Sequence, residues 1–271
     1  VLARVATRVA PPPPPRELTV FSTLPGRMSD RVQSDGSVIG RDQFPGVARG
    51  EIEAAPFGDR RGGPAGSGRL AAAYDRPGIE AADGESRFQL RDRVFVNLPA
   101  GAGRVGDRLL VYRLGEEIGE DAQVVIPTGI LRIESRDARG PALATVVRQF
   151  DQIMLDQRVM PLPAASSANG RPIDVADGPT EEVLYIGNNP VLPSLQSYVV
   201  MSANNAAGIR VGDQFTVIDS SVDPRNPAPP VPAALAEVVR VTPFAVTAIV
   251  VNQDRPKITR GMKATLTARM P

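Results

Sequence analysis

Cysteine, histidine and tryptophan are all absent from the 271-residue chain. Without cysteine there is no disulfide, thiolate metal site or thiol nucleophile. Without histidine the chain lacks the general base that works nearest neutral pH and the commonest metal ligand, which argues against triad hydrolases and zinc enzymes. Aromatic residues make up only 4% of the sequence, and 31 basic residues stand against 30 acidic ones. No segment is a basic footprint and few rings are present for stacking, so nucleic acid is not an expected partner. The only lysines are Lys257 and Lys263, the other basic residues being arginine. No apolar run approaches the roughly 18 residues a helix needs to cross a bilayer, so no transmembrane segment is expected.

What the chain does have is a repeat. Ala100-Gly101-Ala102-Gly103-Arg104-Val105-Gly106-Asp107-Arg108-Leu109-Leu110-Val111-Tyr112 returns as Ala206-Ala207-Gly208-Ile209-Arg210-Val211-Gly212-Asp213-Gln214-Phe215-Thr216-Val217-Ile218, at an offset of 212 − 106 = 106 residues. Small residues, then Arg-Val-Gly-Asp, then an apolar run read as a tight turn feeding a strand. Glycine supplies the unusual backbone conformation and aspartate bonds the backbone of its own turn. Gly106, Asp107, Gly212 and Asp213 are therefore structural turn residues on this reading, with positive φ expected at both glycines.

Short apolar runs separated by breakers follow the same order in each half, as sheets require. The first half offers Arg69 to Tyr74, Arg93 to Leu98, Arg108 to Tyr112, Ile130 to Ile133, Leu143 to Val147 and Ile153 to Pro161. The second offers Val183 to Ile186, Ser197 to Met201, Ala236 to Val241, Ala245 to Val251 and Met262 to Ala268. Leu90 with Val94 to Val96 matches Leu195 with Val199 to Met201, and Leu131-Arg132-Ile133 is aligned with Val239-Arg240-Val241. Val94, Val96, Val111, Ile133, Val147, Val199, Val217, Val239, Val241 and Ile249 are the expected core. The predicted fold is all-β: two similar small antiparallel barrel-like domains, 69–163 and 173–271, joined by a linker at Pro161 to Pro172. A proline-rich excursion is expected at Asp223 to Pro232.

Residues 1–68 differ in character. A five-proline run at Pro11 to Pro15 and the stretch Gly62 to Gly68 predict an extended Pro/Gly-rich arm, with short strands at Leu18 to Phe21 and Gly50 to Ala54. Such an arm buries too little apolar surface to order itself and is expected to lie on neighbouring subunits.

No catalytic constellation stands out. Asp107 and Asp213 invite comparison with an aspartic-protease dyad, but Arg108 and Gln214 follow them where that chemistry needs a hydroxyl residue. Glu116, Glu117, Glu120 and Asp121, and likewise Asp174, Asp177, Glu181 and Glu182, lack the spacing of a calcium loop and read as solvated tips. Ser166-Ser167 has no base nearby. Tyr185 and Tyr198 are candidates to flank a groove. No catalytic residue, metal site or cofactor is expected.

The segment Gly208 to Val217, with Glu237 to Val241 and Ala245 to Val250, resembles the C-terminal β domain of bacterial flagellar assembly protein T. It is also similar to the region that follows the LysM module in LysM-domain cell-envelope proteins. No LysM-like segment occurs in the chain itself. The resemblance implies a non-enzymatic structural subunit of a periplasmic or extracellular assembly, homo-oligomeric or part of a larger complex, with peptidoglycan as a possible associate. An export signal processed ahead of Val1 would accord with it. A glycan- or peptide-binding module of the cell envelope is the alternative.

Overall fold

The computed structural model describes residues 47–74, 79–80, 86–137, 140–165, 172–187, 195–204, 206–219 and 230–271. Regular structure among the described residues is almost entirely β, and the strands close into two antiparallel barrels of six strands each. Ahead of them lie a short helix, α1 (Arg49–Ala54), and β1 (Phe57–Arg60). The first barrel uses β2 (Gly68–Ala73), β5 (Arg93–Asn97), β6 (Arg108–Ile118), β7 (Ala122–Arg136), β8 (Ala142–Gln149) and β10 (Arg158–Pro161). A small sheet of β3 (Ile79–Glu80), β4 (Ser86–Phe88) and β9 (Ile153–Met154) stands beside it. After β11 (Ile173–Asp174), the second barrel uses β12 (Thr180–Ile186), β13 (Tyr198–Met201), β14 (Gln214–Asp219), β15 (Val231–Val241), β16 (Val246–Gln253) and β17 (Lys263–Arg269).

Pairing follows one circuit twice. The ring β2-β5-β8-β7-β6-β10 of the first barrel has the same connectivity as β12-β13-β16-β15-β14-β17 of the second. Each small barrel is filled by side chains, because six strands leave no room for a lumen. Leu70, Leu131 and Ile133 pack with Ala142 and Ala144 in the first, and Phe215, Met201 and Leu266 pack with Ala236 and Ala248 in the second. Phe88 and Ile153, from the small sheet, join the first core. Of the expected core, Val239 and Ile249 lie outside the barrel core, buried against α1, and Val147 points outward and is 37% exposed, because it falls on the outer phase of β8, one residue beyond the inward Val146.

The Gly-Asp turns belong to a wider set. Gly106 and Gly212 have φ of 92° and 93°, and Arg91, Asp156, Gln196 and Gly261 are also at positive φ. All six sit one residue before the residue whose carbonyl locks the turn to a neighbouring strand. Gly106 N–H donates to Ile133 O while Ile133 N–H donates to Asp107 O, and Gly212, Val238 and Asp213 repeat this. Arg91 with Val146, Asp156 with Leu70, Gln196 with Val250 and Gly261 with Val183 do the same. Each barrel thus carries three such locks, at the entries to β5, β6 and β10 and to β13, β14 and β17. The residue just before the positive-φ position points outward. That is why Leu90, Val105, Leu155 and Leu195 are among the exposed large apolar residues.

These locks correct one alignment. Ile133 corresponds to Val238, an offset of 238 − 133 = 105, so Leu131-Arg132-Ile133 matches Ala236-Glu237-Val238 and not Val239 to Val241. Bulges just beyond the matched residues, between Ile133 and Ser135 in the β7–β8 pair and between Val238 and Arg240 in the β15–β16 pair, displace the apolar pattern that sequence matching follows. Replacing Gly106 or Gly212 by valine is expected to destabilise the chain by about 1–3 kcal/mol in urea denaturation, since a β-branched residue is strained at that φ. Nothing lies within 4 Å of a Cβ added at Gly106, so the cost there is conformational and not steric.

Residues 1–46, with the candidate strand Leu18 to Phe21, lie outside the described residues, as do Ser166-Ser167 and most of Asp223 to Pro232. The remainder of the expected arm folds on its own chain. Gly50 to Ala54, expected as a strand, is helical. Its alternation of polar and apolar residues also puts Ile52 and Ala55 on one helical face, and the Glu51 carboxylate accepts the Ala48 N–H at 2.8 Å, the return half of a capping box. Pro56 holds Ala55 extended and ends the helix. Among the described residues no helix is long and apolar enough to cross a membrane.

Candidate functional site

The most elaborate constellation of polar groups lies where α1 and β1 run between the barrels as a strap. On the first barrel's side, β1 extends the sheet by pairing with β7, Phe57 opposite Val125 and Arg60 opposite Ala122. Glu53, on α1, is only 2% exposed and sits among three arginines. Arg148 Nη1 donates to one carboxylate oxygen at 2.7 Å, and Arg49 Nε and Arg108 Nη1 reach the other at 3.1 and 3.3 Å. A buried carboxylate needs such compensation, and α1 is thereby fixed to β6 and β8.

On the second barrel's side, the strap's backbone carbonyls serve as acceptors. Tyr198 O–H donates to Glu51 O at 2.8 Å, Arg240 Nη2 to Ile52 O at 3.4 Å, Thr247 Oγ1 to Pro56 O at 2.9 Å and Thr242 Oγ1 to Gly58 O at 2.8 Å. A helix of six residues leaves most of its carbonyls without partners inside the helix, and the second barrel supplies donors for two of them. Arg240 also lies over the Phe57 ring, 4.4 Å from its centroid. Beneath these bonds Ile52 and Ala55 pack on Val239 and Ile249.

The barrels also touch directly. Ile118, Ala122, Val124 and Ile126, from the far end of the β6–β7 hairpin, pack with Tyr185, Val200 and Ala245. Arg260 grips both oxygens of Glu116.

Burial shapes the ionisation of this junction. Burial, with the Glu51 charge adding to it, pushes the Tyr198 phenol up to about 12, so it keeps its proton and donates at neutral pH. Burial lowers Arg240 to about 10. A raised phenol value means that its contribution to stability is intact below its ordinary value near 10 and is lost as the pH climbs toward 12. The depressed Arg240 value acts in the opposite sense over the window above 10. Tyr198→Phe isolates the first effect: urea titrations above pH 10 should show a steeper loss of stability in the wild type than in the variant.

The structure gives the candidates singled out in the sequence structural tasks. Asp107 Oδ2 accepts the Arg104 N–H at 2.8 Å and Asp213 Oδ2 the Arg210 N–H at 2.9 Å, each inside its own turn and in a different barrel. Asp213 Oδ1 also accepts the Met270 N–H at 2.8 Å. In the first acidic group Glu116 binds Arg260 of the other barrel, and Glu117 lies 3.0 Å from Arg61. Glu116 and Glu117 are thus cross-links, while Glu120 and Asp121 are exposed at the hairpin tip, as expected. In the second group Glu181 is buried and accepts the Ser202 hydroxyl at 2.5 Å, while Glu182 pairs with Lys263 at 2.6 Å. Among the described residues no three acidic groups come together as metal ligands. Tyr185 and Tyr198 flank no open groove: both are taken up by the junction. Sequence reasoning missed Glu53 together with Arg108 and Arg148, which are 55 and 95 residues from it along the chain.

No protein family, curated protein or solved structure matches this chain.

Proposed function

We propose that the chain is a non-enzymatic structural subunit of an extracytoplasmic assembly, a ring, filament or envelope scaffold. The observation that carries this reading is the strap. Two filled barrels are fastened into one block by buried hydrogen bonds and a caged carboxylate, where an enzyme commonly keeps a cleft between domains. Among the carboxylates that attract attention in the sequence, Asp107 and Asp213 hold turns and Glu116 and Glu117 hold arginines, Glu116 across the barrel junction. The resemblance of the Gly-Asp segments to flagellar and LysM-associated β domains supports a periplasmic or extracellular setting, with peptidoglycan nearby. Sedimentation velocity across a concentration series tests the proposal. The 28.8 kDa chain should form larger species as concentration rises, and a single species of monomer mass throughout would contradict it.

A glycan- or peptide-binding role is the second reading, and one surface favours it. Tyr74 is 48% exposed, Arg93 lies over its ring at 4.5 Å, and Phe95 meets it edge-on with centroids 5.4 Å apart. With no tryptophan in the chain, quenching of tyrosine fluorescence by soluble peptidoglycan fragments, lost in Tyr74→Ala, is the corresponding result.

A further inference from the structure

The duplicated barrels carry the same outward face, and among the described residues only one of the two is covered. On the second barrel, the outer side of β13 and β16 pairs Tyr198 with Ile249 and Val200 with Thr247. On the first barrel, the outer side of β5 and β8 pairs Arg93 with Thr145 and Phe95 with Leu143, at corresponding positions in the same circuit. The face on the second barrel is closed over by α1 and the end of the first barrel, so that Val200, Thr247 and Ile249 are at most 2% exposed. Its counterpart has no such cover among the described residues. Phe95 and Leu143 are half-buried, Val147 is 37% exposed and Tyr74 is 48% exposed at its margin.

Outward positions on a strand facing water are ordinarily polar, since successive side chains alternate between core and solvent. Phe95 and Leu143 break that rule at directly paired positions, and Val147 breaks it again on the same face of β8, beyond the polar pair Arg93 and Thr145. The same departure on the second barrel is explained by what covers it, which is the first barrel with its strap. The occupant of the open face follows from repetition of that relation. We propose that the β5–β8 face of the first barrel receives the second barrel of another copy of this chain, head to tail. The inference rests on the reading of the chain as an assembly subunit and deepens it by naming the interface. A contact between unlike surfaces leaves one of each free at the ends, so it propagates until it closes as a ring or extends as a filament. Aromatic side chains, here Phe95 within the face and Tyr74 at its margin, are the kind that dominate association energy.

Sedimentation of the 271-residue chain, wild type beside Phe95→Asp and Val147→Asp, provides the test. Circular dichroism and urea titration of each variant verify folding. The wild type should associate, and each variant should need at least about tenfold more protein to reach the same degree of association, as loss of a central contact implies. A photo-activatable phenylalanine analogue at position 95 should cross-link to the second barrel of another chain. If wild type and both variants associate alike, the interface is wrong while the assembly reading stands. If the wild type remains monomeric throughout, the assembly reading itself falls. Cross-links joining position 95 to position 95 would overturn the head-to-tail arrangement. Should Phe95→Asp fail to fold, Val147→Asp decides alone, because Val147 is already partly in water.

Discussion

Gly58→Val is expected to separate the barrels. Gly58 lies in β1 at ordinary extended φ, and space is what forbids a side chain there. A Cβ added to it would stand 2.5 Å from Ala245 Cβ on the second barrel and 3.3 Å from Ile118 Cδ1 on the first. Real carbons do not approach so closely, so either the strap lifts or the junction opens. Both outcomes strain the bond from Thr242 Oγ1 to Gly58 O and the packing of Ala245 against the β6–β7 hairpin. Overpacking of a filled site costs about 1–3 kcal/mol and a lost hydrogen bond about 1 kcal/mol. The higher strand propensity of valine returns up to about 1 kcal/mol. The net loss should be about 2–3 kcal/mol, and thermal unfolding should broaden or split as the barrels begin to melt separately. An unchanged midpoint and width would mean that β1 is not a spacer between the barrels.

Glu53→Ala is expected to be nearly as severe, for an electrostatic reason. Breaking a fully buried pair by removing one partner costs about 3–5 kcal/mol because the other charge is stranded. Here the anion is buried but its arginines are not, with Arg49, Arg108 and Arg148 side chains 70%, 36% and 46% exposed. They can rehydrate, so the loss should fall to about 2–3 kcal/mol, much of it from the vacated site itself. Glu53→Gln keeps the shape and some of the hydrogen bonds and should cost less. Urea midpoints of the two variants measure this ordering. Equal, negligible effects would mean that the cage contributes no fastening.

How much of this was legible in the sequence depended on whether a feature was local. The all-β class, the duplication and most inward residues came from short-range patterning, which strands impose every second residue. The Gly-Asp turns were visible because two of six copies use the same residues at the same spacing. The other four carry Arg91, Asp156, Gln196 and Gly261 at the positive-φ position, followed by unlike residues, and only the backbone shows their kinship. The apolar pattern predicts a strand of four residues, Ile130 to Ile133, where β7 spans Ala122–Arg136, because Pro127 looks like a terminator. In the barrel it sits beside a bulge, opposite Tyr112, where its missing N–H does no harm. The strap was hidden most deeply. Its partners lie roughly 50 to 190 residues away in sequence, and its composition matches the Gly/Pro-rich stretch around it. Glu116 looked solvated for the same reason, since the arginine that binds it is distant in the chain.

The strap, with the direct barrel contacts beside it, is what makes two duplicated barrels into one mechanical unit. Differential scanning calorimetry of the wild-type chain, at concentrations below those at which it associates, decides whether it does so. A single transition whose calorimetric and van't Hoff enthalpies agree is the expected result. Two separate transitions, each carrying about half of the enthalpy, would contradict it.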